Sequence, residues 1–223
     1  SHAKMLGYTP SSVSAPVATI DVTLNNSGLS SATISAGTKF STSVNNTTYN
    51  FVTVSDITTL STDGILRFND LKIYEGTYVN TKYIVETSNV DQRFVITSNL
   101  VDTDTLTVKV QASATDTTTS TYTRATDITS VSDTATNYFL KEVEDGKFEV
   151  YFGDGVIGKA LSNGNVVILS YVVTNTNEAN GASSFSNTGA ISGVTDVTVA
   201  TVSNANGGGD AESLASIKYN APL

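Results

Sequence analysis

Asx-Gly dipeptides recur at nine-residue steps in the second half of this 223-residue chain, at positions 145–146, 154–155 and 163–164. Both residues of such a pair tolerate positive φ, which the two-residue turns of β-hairpins require. The stretch between the first two pairs alternates between large apolar and mostly polar side chains over residues 147–152. This spacing predicts a meander of short antiparallel strands.

Alternation with period two extends to other parts of the chain. Residues 17–24 place Ala18, Ile20, Val22 and Leu24 on one face, which predicts a half-buried strand. The alternation in residues 65–74 slips near Asp70, and such a slip indicates a β-bulge. Residues 165–173 are apolar on both faces, which is typical of a central strand.

The composition agrees with an all-β protein and excludes several functions. The chain has 16 Gly and only 3 Pro and is rich in Thr, Val, Ser and Asn, which suit strands and turns. A net charge of −9 repels phosphates, so we expect no nucleic-acid partner. The absence of cysteine excludes disulfides, thiol catalysis and zinc–thiolate sites. No apolar run approaches the ~18 residues of a membrane span, so we expect no membrane insertion by this segment.

The residues that could carry chemistry are few. His2 is the single histidine, which leaves almost no material for a Ser-His-Asp triad or a His-rich metal site. Asp102 and Asp104 could bind calcium, but the loop pattern of an EF-hand is missing, and solvated loop carboxylates are the favoured interpretation. The triple glycine 207–209 is followed by Asp210 instead of the Lys and Ser/Thr of a phosphate loop. We therefore expect no catalytic residue, no cofactor, no metal and no small-molecule substrate, and we predict that the protein is not an enzyme.

The notable positions are instead structural, at tight turns and at one hinge. Glycines supply positive φ or close backbone approach there, and Asx side chains bond their own backbone. Asp210 suits the N-cap of a following helix, and Glu212 suits its first turn. The predicted turn and hinge residues are Gly37, Gly76, Asp145, Gly146, Gly153, Asp154, Gly155, Gly158, Asn163, Gly164, Gly181, Gly209, Asp210 and Glu212.

Several motifs, taken in order along the chain, resemble the baseplate J-like and T-even-type wedge subunit family of contractile phage tails. The most specific is FEVYFGDGVIGKALSNGNVVILSYVVT at residues 148–174. The others are AKMLGYTP (3–10), ISAGTKFST (34–42), YNFVTVSD (49–56), IYEGTYVNTKYIV (73–85), RFVITSNLVDTDTLTVKV (93–110) and GGGDAESLASIKYNAP (207–222). One departure lies at residues 176–181, where family members often carry a glycine before the matching element and this chain does not.

The resemblance implies a nested, mainly β layout with two β-sandwich-like domains, the second inserted in the first, and short helical segments at both termini. Residues 1–10 would be the end of a helix, and residues 11–60 plus 163–203 an outer β domain. Residues 61–162 would form the inserted β domain. Residues 204–223 would be a hinge and the start of the next helix.

The resemblance also implies a role as a structural wedge subunit of the tail baseplate. Such a subunit would assemble with other copies and with neighbouring wedge proteins, and would transmit the change that triggers sheath contraction. It would reside in the virion tail after assembly in the host cytoplasm. Exposed apolar patches or unpaired strand edges are expected of such a piece. The alternative is an extracellular adhesin or carbohydrate-binding β-sandwich, which predicts a calcium cage or an aromatic platform.

Overall fold

The computed structural model describes residues 11–212 and shows a mainly β chain, as the alternation predicts. Two 3-10 helices, Ile128–Ser130 and Glu144–Gly146, are the helical elements of this described part. Its strands are β1 (Val17–Leu24), β2 (Ser31–Ile34), β3 (Lys39–Val44), β4 (Thr47–Val52), β5 (Ile57–Leu60), β6 (Leu66–Glu75), β7 (Thr77–Ile84), β8 (Phe94–Ile96), β9 (Val101–Gln111), β10 (Thr119–Arg124), β11 (Asn137–Glu142), β12 (Phe148–Phe152), β13 (Val166–Val173), β14 (Ser186–Asn187) and β15 (Val197–Asn206). Within residues 11–212 no helix has the length and apolar character needed to cross a membrane.

The chain divides into two compact units. The split unit comprises Val13–Tyr78 and Val172–Asp210, and the inserted unit comprises Val79–Tyr171 with residues 11–12 and 211–212. These boundaries fall later than the expected positions 60/61 and 162/163. The reason is strand pairing: β6 pairs with β1 of the split unit, and β13 belongs to the sheet of the inserted unit.

The split unit is built on a six-stranded sheet in the order β14-β3-β4-β6-β1-β15, with β2 and β5 forming a separate pair. The predicted alternation of β1 is confirmed, because Ala18, Ile20, Val22 and Leu24 are buried in its core. The predicted bulge in β6 is also confirmed. Its pairing with β1 shifts there, Asp70 adopts a φ of 54°, and the Asp70 N–H donates to Asp21 Oδ1 over 2.8 Å.

The inserted unit is built on a seven-stranded sheet in the order β7-β13-β9-β10-β11-β12-β8. The predicted central strand is confirmed, since β13 lies between β7 and β9 and seven of its eight residues are buried. Phe94 of β8 packs edge-to-face on Tyr83 of β7, with ring centroids 5.6 Å apart. Because β7 and β8 are the two ends of the strand order, this contact indicates that the sheet curls almost to closure.

The split unit curls in a similar way, because β14 and β15 at the two ends of its sheet lie side by side. The expectation of β-sandwich-like domains is therefore not confirmed, since each sheet bends toward itself. The predicted meander is wrong for β12 and β13. Strand β12 pairs with β11 and β8, whereas β13 lies between β7 and β9.

The terminal predictions have a mixed outcome. Residues 204–206 were assigned from the sequence to a hinge, but they form the end of β15. This strand pairs with β1, and Asn206 lies opposite Val17. The predicted helical segments at residues 1–10 and beyond residue 212 lie outside the described residues.

Candidate assembly surface

The Asp145-Gly146 turn connects two paired strands. Asp145 has a φ of 57° and Gly146 a φ of 71°, and the turn is closed by Val143 N–H donating to the Lys147 carbonyl over 2.8 Å. It joins β11 to β12, which pair antiparallel along their length. This turn therefore behaves as the Asx-Gly signal predicts.

The Asp154-Gly155 pair builds a loop that closes on itself. Asp154 Oδ1 accepts the N–H groups of Val156 and Ile157, both over 2.9 Å. These two bonds lower the pKa of Asp154, because amide donors favour the charged carboxylate. Gly155 N–H donates to the Gly158 carbonyl over 3.0 Å, so the chain turns tightly at residues 155–158.

Glycine is required at Gly153 because two backbone segments meet there. A Cβ on Gly153 would lie 2.2 Å from the carbonyl carbon of Gly158. The loop is also fastened from outside by two backbone bonds, from Gly158 N–H to Ser132 O over 3.0 Å and from Lys159 N–H to Ala135 O over 2.9 Å. We call residues 153–160, which a bridge between Gly153 and Ala160 closes, the Asp154 loop.

The tip of the Asp154 loop is apolar. Val156 is 74% exposed and Ile157 is 39% exposed. Single large apolar residues are common on protein surfaces. Two adjacent β-branched side chains on a rigid loop tip instead form a small exposed apolar patch.

The Asp154 loop continues into the outer face of β11 and β12. A Cβ on Gly158 would lie 3.7 Å from Phe139 Cε2, and the Phe139 ring stacks on Tyr151 with centroids 5.1 Å apart. Lys141 Nζ lies 5.4 Å from the Tyr151 ring centre, within the range of a cation–π contact. Aromatic side chains such as Tyr151 are enriched in protein–protein interfaces.

A buried carboxylate holds two cations on the same face. Arg93 Nε and Nη2 donate to Glu149 Oε1 and Oε2, both over 3.1 Å, and Lys141 Nζ lies 3.3 Å from Oε2. The Arg93 bonds are the main reason that the pKa of Glu149 is lowered, and they raise the pKa of Arg93. The Glu149 side chain is 8% exposed, while those of Arg93 and Lys141 are 55% and 56% exposed. This Glu149 cluster was not predicted from the sequence.

The Asn163-Gly164 turn brings the chain back into the inserted sheet. Asn163 Oδ1 accepts the Thr87 N–H over 3.1 Å, and Gly164 N–H donates to the Val85 carbonyl over 2.8 Å. The turn is therefore anchored to the segment that follows β7, and it aligns β13 beside that strand.

The predicted glycines of the split unit occupy crowded or left-handed positions. Gly76 has a φ of 139°, and a Cβ there would lie 2.2 Å from the Val173 carbonyl oxygen. A Cβ on Gly37 would lie 2.9 Å from Tyr78 Cδ1. Gly181 has a φ of 89° and donates its N–H to the Ala205 carbonyl over 2.7 Å.

The predicted hinge residues lie in a paired segment. Gly209 and Ser14 exchange two backbone hydrogen bonds of 3.0 Å each. Glu212 Oε2 accepts the Ser11 N–H over 3.0 Å. Asp210 lies between these two pairings, and the helix for which it was assigned as N-cap falls outside the described residues.

Glu75, the last residue of β6, is a second buried carboxylate, and it was not predicted from the sequence. It is 1% exposed. Its Oε2 accepts Thr174 Oγ1 over 2.7 Å and Asn175 N–H over 2.9 Å, and its Oε1 accepts Asn175 Nδ2 over 2.6 Å. Glu75 therefore fastens the chain where it re-enters the split unit.

Asp102 and Asp104, the candidate calcium ligands, lie near the start of β9, where Asp102 Oδ1 accepts a hydrogen bond from the Asp104 N–H over 3.0 Å. The interpretation as solvated loop carboxylates is wrong for Asp102, which is buried. The part of the chain that the structure describes brings no group of three or more His, Asp or Glu side chains together as a metal site. Within the described residues, the best-defined candidate site is therefore the surface formed by the Asp154 loop and the neighbouring face of β11 and β12.

The chain is similar to a curated phage protein. The chain is 28% identical over 240 residues to the baseplate wedge protein gp6 of Enterobacteria phage T4, in a match that covers 95% of this chain. The chain spans 35% of the length of that protein. No protein-family model matches the chain. The similarity supports a distant relationship to T4-like baseplate wedge proteins.

Proposed function

We propose that the chain is a non-enzymatic structural segment of a wedge subunit in the baseplate of a contractile phage tail. The observation that carries this proposal is the similarity to gp6 of phage T4, which extends over 95% of the chain. Motifs that resemble the baseplate J-like and T-even-type wedge subunit family lie in order along the same residues. The assembly partners would be other copies of the subunit and other wedge proteins.

The two units suit a role in which shape matters more than chemistry. In both, most strands of a curled sheet have neighbours on both sides, which limits the exposed strand edges that promote uncontrolled pairing. Buried carboxylates in both units are bonded by side chains distant in sequence. Such units can transmit a displacement within a particle without deforming, as the triggering of sheath contraction would demand.

The other parts of the proposal concern location and partners. We place the protein in the virion tail, after assembly in the host cytoplasm. The net charge of −9 argues against a nucleic-acid partner, because a negative surface repels phosphates. The tip of the Asp154 loop and the Glu149 cluster are surfaces for protein contacts, and neither forms a deep pocket for a small substrate.

The proposal is tested on purified tail particles of the phage that encodes the chain. Mass spectrometry should find the protein in intact particles, and a peptide tag in the exposed loop at residues 113–118 should be located at the baseplate by electron microscopy. A tag signal on the sheath or tail fibres, or absence of the protein from particles, would refute the role. Calcium-dependent melting or binding to a glycan array would instead favour the adhesin alternative.

A further inference from the structure

The apolar tip of the Asp154 loop is exposed without any benefit to folding. Val156 and Ile157 are β-branched and exposed, while the backbone N–H groups of residues 155–159 all donate hydrogen bonds. Loop tips are usually polar, because exposed apolar area costs solvation free energy. The adjacent pair at this tip is therefore a candidate contact surface.

The tip is also rigid before any partner arrives. Asp154 fixes the N–H groups of Val156 and Ile157, and the contact between Gly153 and Gly158 closes the base of the loop. β-Branched side chains have few χ1 choices. Little conformational entropy remains to be lost on binding, and such preorganisation strengthens an interface.

The charged residues beside the tip indicate which charge its partner carries. Lys159 is exposed, and the ion pairs of the described residues leave it without a carboxylate. The carboxylate of the loop itself, Asp154, is bonded to backbone amides. We propose that Val156 and Ile157 insert into an apolar pocket on a different tail protein, at whose rim a carboxylate pairs with Lys159. This inference rests on the proposed function and names the chemistry of one partner.

A second copy of the chain is a poorer occupant. An open depression of about 560 Å³ on the inserted unit is lined mainly by charged residues, which do not complement an apolar tip. Its lining consists of Arg93, Val95, Val143, Glu144, Asp145 and Lys147.

Photo-crosslinking in assembled particles tests the contact directly. A photoreactive amino acid replaces Val156 in the full-length protein, and the matched control replaces Val90, which is 92% exposed on the same unit. The expected product is an adduct from position 156 to a different tail protein, at a peptide that combines apolar residues with Asp or Glu, and a much weaker adduct from position 90. An adduct to a second copy, no adduct, or equal adducts from both positions would overturn the inference.

Substitutions measure the strength of the contact. When wild type and the double variant Val156→Ser with Ile157→Ser compete for incorporation into particles, the incorporated amount of the variant should be at least about tenfold lower. A tenfold change corresponds to about 1.4 kcal/mol. Lys159→Glu should lose more incorporation at low salt than at high salt. Val90→Ser is the control, and melting temperatures within about 3 °C of wild type show that the fold is intact.

The outcomes separate the two proposals. If wild type is found in the particles but the double variant is incorporated equally well, the docking inference fails while the wedge assignment stands. If wild type is not found in the particles, the wedge assignment itself fails.

Discussion

Removing the carboxylate of Glu75 should destabilise the split unit strongly. Glu75→Ala leaves three donors without an acceptor, namely Thr174 Oγ1 and both the backbone N–H and the side-chain amide of Asn175. A hydrogen bond to a charged group contributes about 1.5–3 kcal/mol, and a buried group left unpaired costs about 1–3 kcal/mol. Because these effects are not additive and water can enter the space that is left, we expect a loss of about 3–5 kcal/mol in the free energy of unfolding.

Glu75→Gln should cost less, about 1–2 kcal/mol. Its carbonyl can keep the two bonds made by Oε2, but its NH₂ then faces Asn175 Nδ2, which lies 2.6 Å from Oε1 in the wild type. Turning over the Asn175 amide removes this donor–donor conflict. Adding Asn175→Asp to Glu75→Gln supplies an acceptor at that atom, so the double variant should recover part of the loss.

Urea unfolding followed by circular dichroism measures these changes, and hydrogen exchange at the Asn175 amide reports the local bond. The matched control is Glu178→Ala in the same unit, because Glu178 is exposed and accepts only a long bond of 3.4 Å from Tyr49 among the described contacts. It should change the free energy of unfolding by less than about 0.5 kcal/mol. A loss below about 1 kcal/mol for Glu75→Ala, or equal losses for Ala and Gln, would refute the argument.

Two further predictions concern the inserted unit. Gly153→Ala should lower the free energy of unfolding by at least about 1–3 kcal/mol and mobilise the Asp154 loop, because the new Cβ overlaps the Gly158 backbone. In the control Gly164→Ala the Cβ meets nothing within 4 Å, so only the cost of the positive φ should remain. Equal losses for the two variants in urea unfolding would contradict this. The lowered pKa of Glu149 means that its ion pairs stabilise the fold above the unfolded carboxyl pKa and that this stability disappears as the pH falls through the lower folded value. Stability measured from pH 7 to pH 3 should therefore fall less steeply in Glu149→Gln than in wild type, and parallel curves would show that Glu149 is not responsible.

The local features of the fold could be predicted because each depends on residues adjacent in sequence. The burial of β1 follows from its alternation, the bulge at Asp70 from a slip in that alternation, and the central position of β13 from apolar residues on both faces. The pairing of β12 and β13 could not be predicted in this way. A DG turn indicates where the chain reverses, but Gly153 and Gly158 close that reversal into a loop before a second strand can pair.

The two buried carboxylates show where sequence reasoning could have gone further and where it could not. After the bulge at Asp70, alternation places Glu75 on the same face as Leu71 and Ile73, so the sequence carries a signal for a buried acid in β6. Glu149 has no such signal, because alternation places it opposite the core residues Phe148 and Val150. It is buried because Arg93 and Lys141 cover it, and Arg93 reaches it only through the pairing of β8 with β12. An acid on the core face can thus be found from one strand, whereas an acid buried by its own counterions requires knowledge of which strands are neighbours.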